Sequence, residues 1–389
     1  MKRLFLTVVA SFSVCSLFAQ NGSYERYIES IRTNNPAIIA LDKELEAQLK
    51  GNRTDIAPED PEAEIAYFLK RNVSFEMNVA QSIDFPTVYI NKAKLARLSD
   101  DKSRTEYLAN LKLVMEEAEQ LYVNAVYYNR KLSFVKRNME NAKRLQEYYE
   151  KGLESGNVSV LEKNKIEALF LDIATQYRLT EGQRSSNLEA IKNINGGIAI
   201  DIPDTLYPAY QVGNVDDFIE HASSIDYDIK LAAIDTLIAQ RQIKLSRSEW
   251  LPGFKIGYRL NMEEKNPTNG IIAGISIPLW KNTNKVRYAK LSKSASLARG
   301  ASVRSTVMTN LQSLKNDYLS YMASLDEYHE FMKRTNNVEL INKALDAGNI
   351  SILEYFVELN MWYDISERIT ELEKEAALIA SKMSLYYRM

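Results

Sequence analysis

The 389-residue chain has a single cysteine, Cys15, and it lies in the apolar run at the very start. The remainder has no disulfide and no thiolate metal site. Histidine is nearly as scarce, with His221 and His329 far apart, so there is no paired-His spacing. A nucleophile elbow and a phosphate-binding glycine loop are missing too, and the sequence predicts neither enzyme chemistry nor a cofactor or metal. Glycine and proline number only 14 and 9, and so few breakers favour long uninterrupted helices. The formal charge is −2, with no basic excess to suggest a nucleic-acid partner. Beyond the first residues no stretch reaches the roughly 18 consecutive apolar residues of a membrane-crossing helix.

The start is different. Met1-Lys2-Arg3 precedes an apolar run from Leu4 to Phe18 and then Ala19-Gln20. A basic start, a short apolar core and a small residue before a polar segment predict an export signal over 1–19, cleaved after Ala19. Val14 and Phe12 precede Cys15 where a lipoprotein signal has small residues, which argues against lipidation. An exported chain without a second hydrophobic span is either periplasmic or a β-barrel in the outer membrane.

An internal duplication organises the rest. Lys151 to Glu162 reads KGLESGNVSVLE and Lys343 to Glu354 reads KALDAGNISILE, with seven of twelve positions identical at an offset of 192 residues. The same ungapped offset pairs Ala40 with Ala232, Ala47-Gln48 with Ala239-Gln240, Pro86 with Pro278, Asn124 with Asn316 and Asp172 with Asp364. Repetition at one offset is the mark of a repeated structural unit. The expected organisation is a first copy over 20–195, a connector over 196–215 and a second copy over 216–389. Each copy carries a helix, a strand pair, a very long helix, a tight turn and a helix.

In the second copy Val307, Leu311, Leu314, Tyr318, Tyr321, Leu325, Tyr328 and Met332 alternate spacings of four and three, a sustained heptad seam. The first copy shows Leu108, Leu111, Met115, Ala118, Tyr122, Ala125, Asn129 and Leu132 at similar spacing. From Pro86 to about Glu154 there is no further proline and only Gly152. Some 65 helical residues span roughly 100 Å and require partners along their length. Gly156-Asn157 and Gly348-Asn349 supply the left-handed residue that ends a helix, and Ser159 and Ser351 can cap the next one. Glu116, Glu117 and Glu119 read as a solvated acidic face, and His329 as a surface residue beside the seam.

Four short segments alternate with period two. Phe254, Ile256, Tyr258, Leu260 and Met262 alternate with Lys255, Gly257, Arg259, Asn261 and Glu263; after an Asn266-Pro267-Thr268-Asn269-Gly270 turn, Ile271, Ala273, Ile275 and Ile277 continue the pattern. In the first copy Val73, Phe75, Met77, Val79 and Ile83 alternate with polar residues that include Glu76 and Asp84, after a weak strand at Glu64–Leu69 and a loop at Lys70-Arg71-Asn72. Strands of 9–11 residues with one apolar and one polar face suit an outer-membrane barrel, the apolar row on lipid and Lys255, Arg259, Glu76 and Asp84 on the lumen. A half-buried strand of a soluble sheet has the same period. Two hairpins cannot close a barrel, so spanning strands must be pooled between chains.

The signal, the duplication, the strand hairpins and the glycine turn at each helix tip together resemble the TolC family of outer-membrane efflux proteins. Specific likenesses are Asn35-Pro36, Gln81-Ser82-Ile83-Asp84-Phe85-Pro86, its counterpart Ile275-Ser276-Ile277-Pro278-Leu279-Trp280, and the two tip motifs. The resemblance implies a mainly helical protein with transmembrane β-strands: a homotrimeric α-helical barrel continued by a 12-stranded β-barrel, four strands per chain. It implies an outer-membrane location extending into the periplasm, a passive exit duct for drugs, metal ions or other small solutes, and no catalysis. Gly156, Asn157, Ser159 and Leu161, with Gly348, Asn349, Ser351 and Leu353, would form the periplasmic tip that docks a membrane-fusion adaptor, and through it an inner-membrane pump of RND or ABC type. Glu162 and Glu354 stand where the family often has Asp, as a ring of carboxylates at a pore gate or as charges favoured at helix N-termini. Lys165 and Val357 replace a second acidic position often seen there. The other reading of the sequence is a periplasmic coiled-coil scaffold or adaptor that does not span the membrane.

Overall fold

The computed structural model describes residues 13–68, 74–262, 267–335 and 337–388. The loop expected at Lys70-Arg71-Asn72, the strand ends expected at Val73 and Glu263 and most of the export signal lie outside them. The first half of the chain gives α1 (Ser13–Asn34), α2 (Pro36–Gly51), a 3-10 turn (Thr54–Ile56), β1 (Glu62–Phe68), β2 (Ser74–Ile83), α3 (Pro86–Glu154) and α4 (Val160–Ile194). The second half gives α5 (Phe218–Ile225), α6 (Tyr227–Ser248), β3 (Gly253–Met262), β4 (Thr268–Ser276), α7 (Lys285–Arg334), α8 (Asn337–Asp346) and α9 (Ile352–Arg388). α3 begins at its proline, where a missing N–H costs nothing, and runs on for 69 residues. Among the described residues no helix is long and apolar enough to cross a membrane.

Two compact units draw on separated pieces of chain: a helical unit of Met1–Ala40, Leu111–Ala222 and Asn310–Met389, and a sheet unit of Leu41–Asn110 and Ser223–Thr309. Each takes material from both halves of the sequence.

In the helical unit Tyr27 and Ile31 of α1 pack on Ala118, Tyr122, Ala125 and Val126 of α3, Ile191 of α4 and Ile202. Polar atoms that this burial traps find partners in the same core. The Tyr27 hydroxyl donates to the Ala118 carbonyl at 2.8 Å, and that of Tyr122 to the Asp204 carboxylate at 2.8 Å. Asn129 Nδ2 donates to the carbonyls of Ile202 and Asp204, so the irregular chain after α4 is bonded to α3. Further along, Val135 and Ala142 of α3 meet Ile173 of α4, while Leu325 of α7 meets Ile369, Leu372 and Ala376 of α9.

Two expectations for this unit need correcting. Glu119 is not on a solvated face: it is 1 % exposed, accepts hydrogen bonds from Tyr24 and Tyr210, and pairs with Arg388 at 2.8 Å. Burial and then the Glu119 carboxylate push the Tyr24 and Tyr210 phenols above their usual range. The second very long helix is interrupted, since α7 ends at Arg334 and α8 begins at Asn337. Thr335 turns its hydroxyl back onto the Phe331 carbonyl at 2.7 Å, the competition with helix bonding that makes Thr and Asn weak helix formers. His329 stays at the surface beside the seam, its side chain 45 % exposed and Nε2 3.6 Å from the Glu373 carboxylate. The second-copy seam is otherwise buried or half-buried throughout.

The sheet unit holds one antiparallel sheet in the order β1-β2-β3-β4. Arg53, in the turn after α2, pairs with Asp100 of α3 at 2.9 Å, and Lys102 of α3 with Asp235 of α6 at 2.9 Å. Leu108, which opened the first-copy seam, belongs here and is exposed: the seam starts one step later, at Leu111.

Candidate functional site: a two-faced sheet and two helix tips

Period two fixes which side chains share a face. Register brings Ile65, Met77 and Leu260 into one cross-strand row, Val79, Tyr258 and Ile271 into the next, and Ile83, Phe254 and Ile275 into a third. This apolar face is open rather than packed: Ile256 is 57 % exposed, Tyr258 45 % and Ile271 83 %. Water is a poor solvent for such a contiguous apolar surface, which marks a contact with something apolar.

The opposite face carries charge. Glu64 pairs with Asn78 and Asn78 with Arg259; Ser82 pairs with Lys255. The cations are matched across strands, Lys255 to Glu62 at 3.1 Å and Arg259 to Glu76 at 2.8 Å. Lys255, Arg259 and Glu76 therefore share the polar face. Asp84 does not: β2 ends at Ile83, and Asp84 stands at the strand-to-helix junction, 3.9 Å from Lys92. Pro86 starts α3 two residues later, and the ladder stops before it. Lys92, Asp84 and Lys255 line a cavity of about 490 Å³ there. Sequence reasoning missed Glu62, because β1 was read from Glu64 onward; its alternation with Ala63 and Ile65 was the available signal.

The two tips are built by one set of bonds. At the first, Asn157 N–H donates to the Gly152 carbonyl at 2.8 Å and Gly156 N–H to Leu153 at 3.1 Å; at the second, Asn349 donates to Ala344 at 2.9 Å and Gly348 to Leu345 at 3.0 Å. This is the Schellman closure, and it requires the positive φ of Gly156 (74°) and Gly348 (70°). Both next helices open with a capping box. Glu162 N–H donates to Ser159 Oγ while Ser159 N–H donates to Glu162 Oε2 at 2.9 Å; Ser351 N–H donates to Glu354 Oε2 at 2.7 Å in the same way. These bonds, from the serine backbone first, hold both carboxyls below the usual glutamate range. Leu161 is exposed; the side chain of Leu353 lies outside the described residues. Among the described residues no group of three or more acidic, His or Cys side chains is placed to hold a metal.

No family model matches the sequence, and no curated protein does. Solved structures do match. The outer membrane protein VceC of Vibrio cholerae superposes with a TM-score of 0.75 at 12 % identity, over 95 % of this chain and 97 % of that one. The MtrE outer membrane channel of Neisseria gonorrhoeae gives 0.73 at 15 % identity, over 94 % and 88 %. The CmeC outer membrane channel of Campylobacter jejuni gives 0.68 at 17 % identity, over 93 % and 85 %. The chain has the fold of these outer-membrane channels. It is the TolC-type fold that the resemblance implied, present over nearly the whole chain: mostly helical, with one four-stranded sheet. Within a TolC-type fold the open apolar face, the charged face and the paired tips are the features that ask for a function.

Proposed function

We propose that the chain is the outer-membrane exit duct of a tripartite efflux system, a passive channel for drugs, metal ions or other small solutes with no chemistry of its own. The observation that carries this is a sheet with an exposed apolar face whose outer strands, β1 and β4, each have an edge without a strand partner among the described residues. Open strand edges are forbidden in hydrocarbon, and four strands are too few to enclose a water-filled lumen. Three copies supplying twelve strands remove both difficulties, so the working form is a homotrimer in the outer membrane. Ile256, Tyr258 and Ile271 then meet lipid, and Glu76, Lys255 and Arg259 border water. The helices extend into the periplasm, where the tips at 156–161 and 348–353 dock a membrane-fusion adaptor and through it an RND or ABC pump. At these tips Glu162 and Glu354 act first as helix caps; a gating role rests only on their repetition around a threefold axis. The channels of similar fold favour the duct over a periplasmic scaffold.

The test is extraction and mass. The purified protein is expected to require detergent, to have three times the protomer mass, and to open pores in planar bilayers. A freely water-soluble monomer without conductance overturns the proposal. Spin labels placed in turn at positions 254 to 260 are expected to alternate between lipid and aqueous contact, and uniformly aqueous signals count against it.

A further inference from the structure

The charges of the sheet unit are segregated along the chain. Between Glu264 and the unit's end at Thr309 the sequence holds five lysines and three arginines and no Asp or Glu; between Leu41 and Ile65 it holds eight carboxylates against three cations. A chain with a net charge of −2 has therefore sorted its signs. The acidic stretch leads into β1 and the basic stretch leads out of β4, the two outer strands of the sheet.

The register puts both at one end of the sheet. Glu62 pairs with Ala80, Ala80 with Gly257 and Gly257 with Ile272 in mid-β4, so the acidic residues that precede β1 lie at the end of the sheet where β4 leaves it. Within one protomer the two stretches are three strands apart, roughly 14 Å at the usual strand spacing, on either side of the cavity that Glu59 and Lys281 both line. That exceeds the reach of an ion pair and the screening length of physiological salt. Accordingly, Glu59, Asp60 and Glu64 on one side and Lys281, Arg287 and Lys290 on the other are exposed, and none of the six forms an ion pair among the described residues of the protomer. The basic side also carries Trp280, 81 % exposed, with Tyr288 and Leu291 exposed among the cations. Aromatic side chains and arginine around an apolar patch are what protein interfaces favour.

We propose that Lys281–Lys290 forms one half of a head-to-tail interface whose other half is the acidic stretch Glu59–Glu64 of a second copy of this chain. The inference rests on the trimeric reading above and adds to it the element that selects how the copies meet. In a head-to-tail ring two different patches face each other at every junction. Closure of β4 onto β1 of the next copy sets the stretch with Lys281, Arg287 and Lys290 against the stretch with Glu59, Asp60 and Glu64. The alternatives are self-repelling: β1 against β1 opposes carboxylates, and β4 against β4 opposes cations. Charge thus discriminates between closures that backbone hydrogen bonding alone treats alike.

Charge reversal tests this. In the full chain, K281E/R287E and E59K/D60K are each expected to shift the monomer–trimer equilibrium in mild detergent on the order of tenfold toward monomer at low salt. The four substitutions together are expected to restore the trimer, and 0.5 M salt to shrink all three differences. Circular dichroism of the two double variants is expected to match that of the parent. A trimeric parent with unaffected double variants overturns the charged seam while leaving the duct intact, as does a fourfold variant no better than the doubles. If K281E/R287E stays trimeric but no longer binds vesicles of anionic phospholipid, lipid rather than a second copy occupies the basic face. A parent that is monomeric in detergent removes the trimeric reading itself.

Discussion

The two helical hairpins of the helical unit share a turn and differ in the shaft behind it. At both tips the same carbonyls are closed by a glycine with positive φ and the same serine–glutamate box opens the return helix. Yet α3 reaches its turn unbroken, while its counterpart arrives as α7 and α8. The 192-residue offset sets Ala142-Lys143-Arg144-Leu145 against Arg334-Thr335-Asn336-Asn337. In the first arm Ala142 lies against Ile173 and Leu145 against Ile166 and Phe356, both fully buried. In the second arm those steps are Arg and Asn, and Thr335 bonds its own helix instead. A turn of this type is set by the chemistry of a few adjacent residues and survives duplication intact. A shaft holds only where side chains one turn apart find partners, so it can drift while the turn does not.

The largest way to break this comparison is in the packing. Leu145→Ala is expected to cost about 3 kcal/mol in chemical denaturation of the detergent-solubilised protein, the usual range for a buried leucine. Leu340→Ala in α8, where the leucine is exposed, is expected to stay within about 0.5 kcal/mol. Similar costs would mean that the two shafts are packed alike. A smaller effect comes from rewriting the interruption: T335K/N336R/N337L imports the residues of the first arm. Better helix formers at three positions are expected to join α7 to α8 and slow amide exchange over 333–340 about tenfold. Unchanged exchange would show that helix propensity is not what interrupts the second arm.

Much of this was legible in the sequence because it is local. The bounds of α3 follow from Pro86 and the run without breakers, the strand faces from period two, and the tip closures from Gly-Asn followed by Ser and, three residues on, Glu. What was not legible is what depends on distant partners. Glu119 reads as one of three solvated acids, and nothing near it signals that Tyr24, Tyr210 and Arg388, the last 269 positions away, converge on it. Asp84 continued the strand alternation by spacing, but the junction to α3 ends the ladder one residue earlier. The seam at Leu108 failed for a related reason: heptad spacing does not say at which residue a helix changes its packing partners.

The smallest expected effect distinguishes the two tips from each other. Removing either cap, Ser159→Ala or Ser351→Ala, is expected to cost about 1 kcal/mol at each tip. The carboxyls that complete the boxes are held below the ordinary glutamate value of about 4.3. A folded value lower than the unfolded one means that protons prefer the opened tip. The stabilisation is therefore complete above the ordinary glutamate range and is lost as pH falls through the depressed folded value. Amide exchange over 159–163 and 351–355 should accelerate in that window relative to E162Q and E354Q measured at the same pH. Glu162 has one further influence, the Lys165 ammonium, which also lowers its value, whereas Val357 fills the matching position beyond Glu354. The first tip is thus expected to titrate lower than the second and to converge with it as salt screens Lys165. Equal midpoints at low salt would remove Lys165 from the account, and midpoints at the ordinary glutamate value would remove the capping boxes from solution altogether.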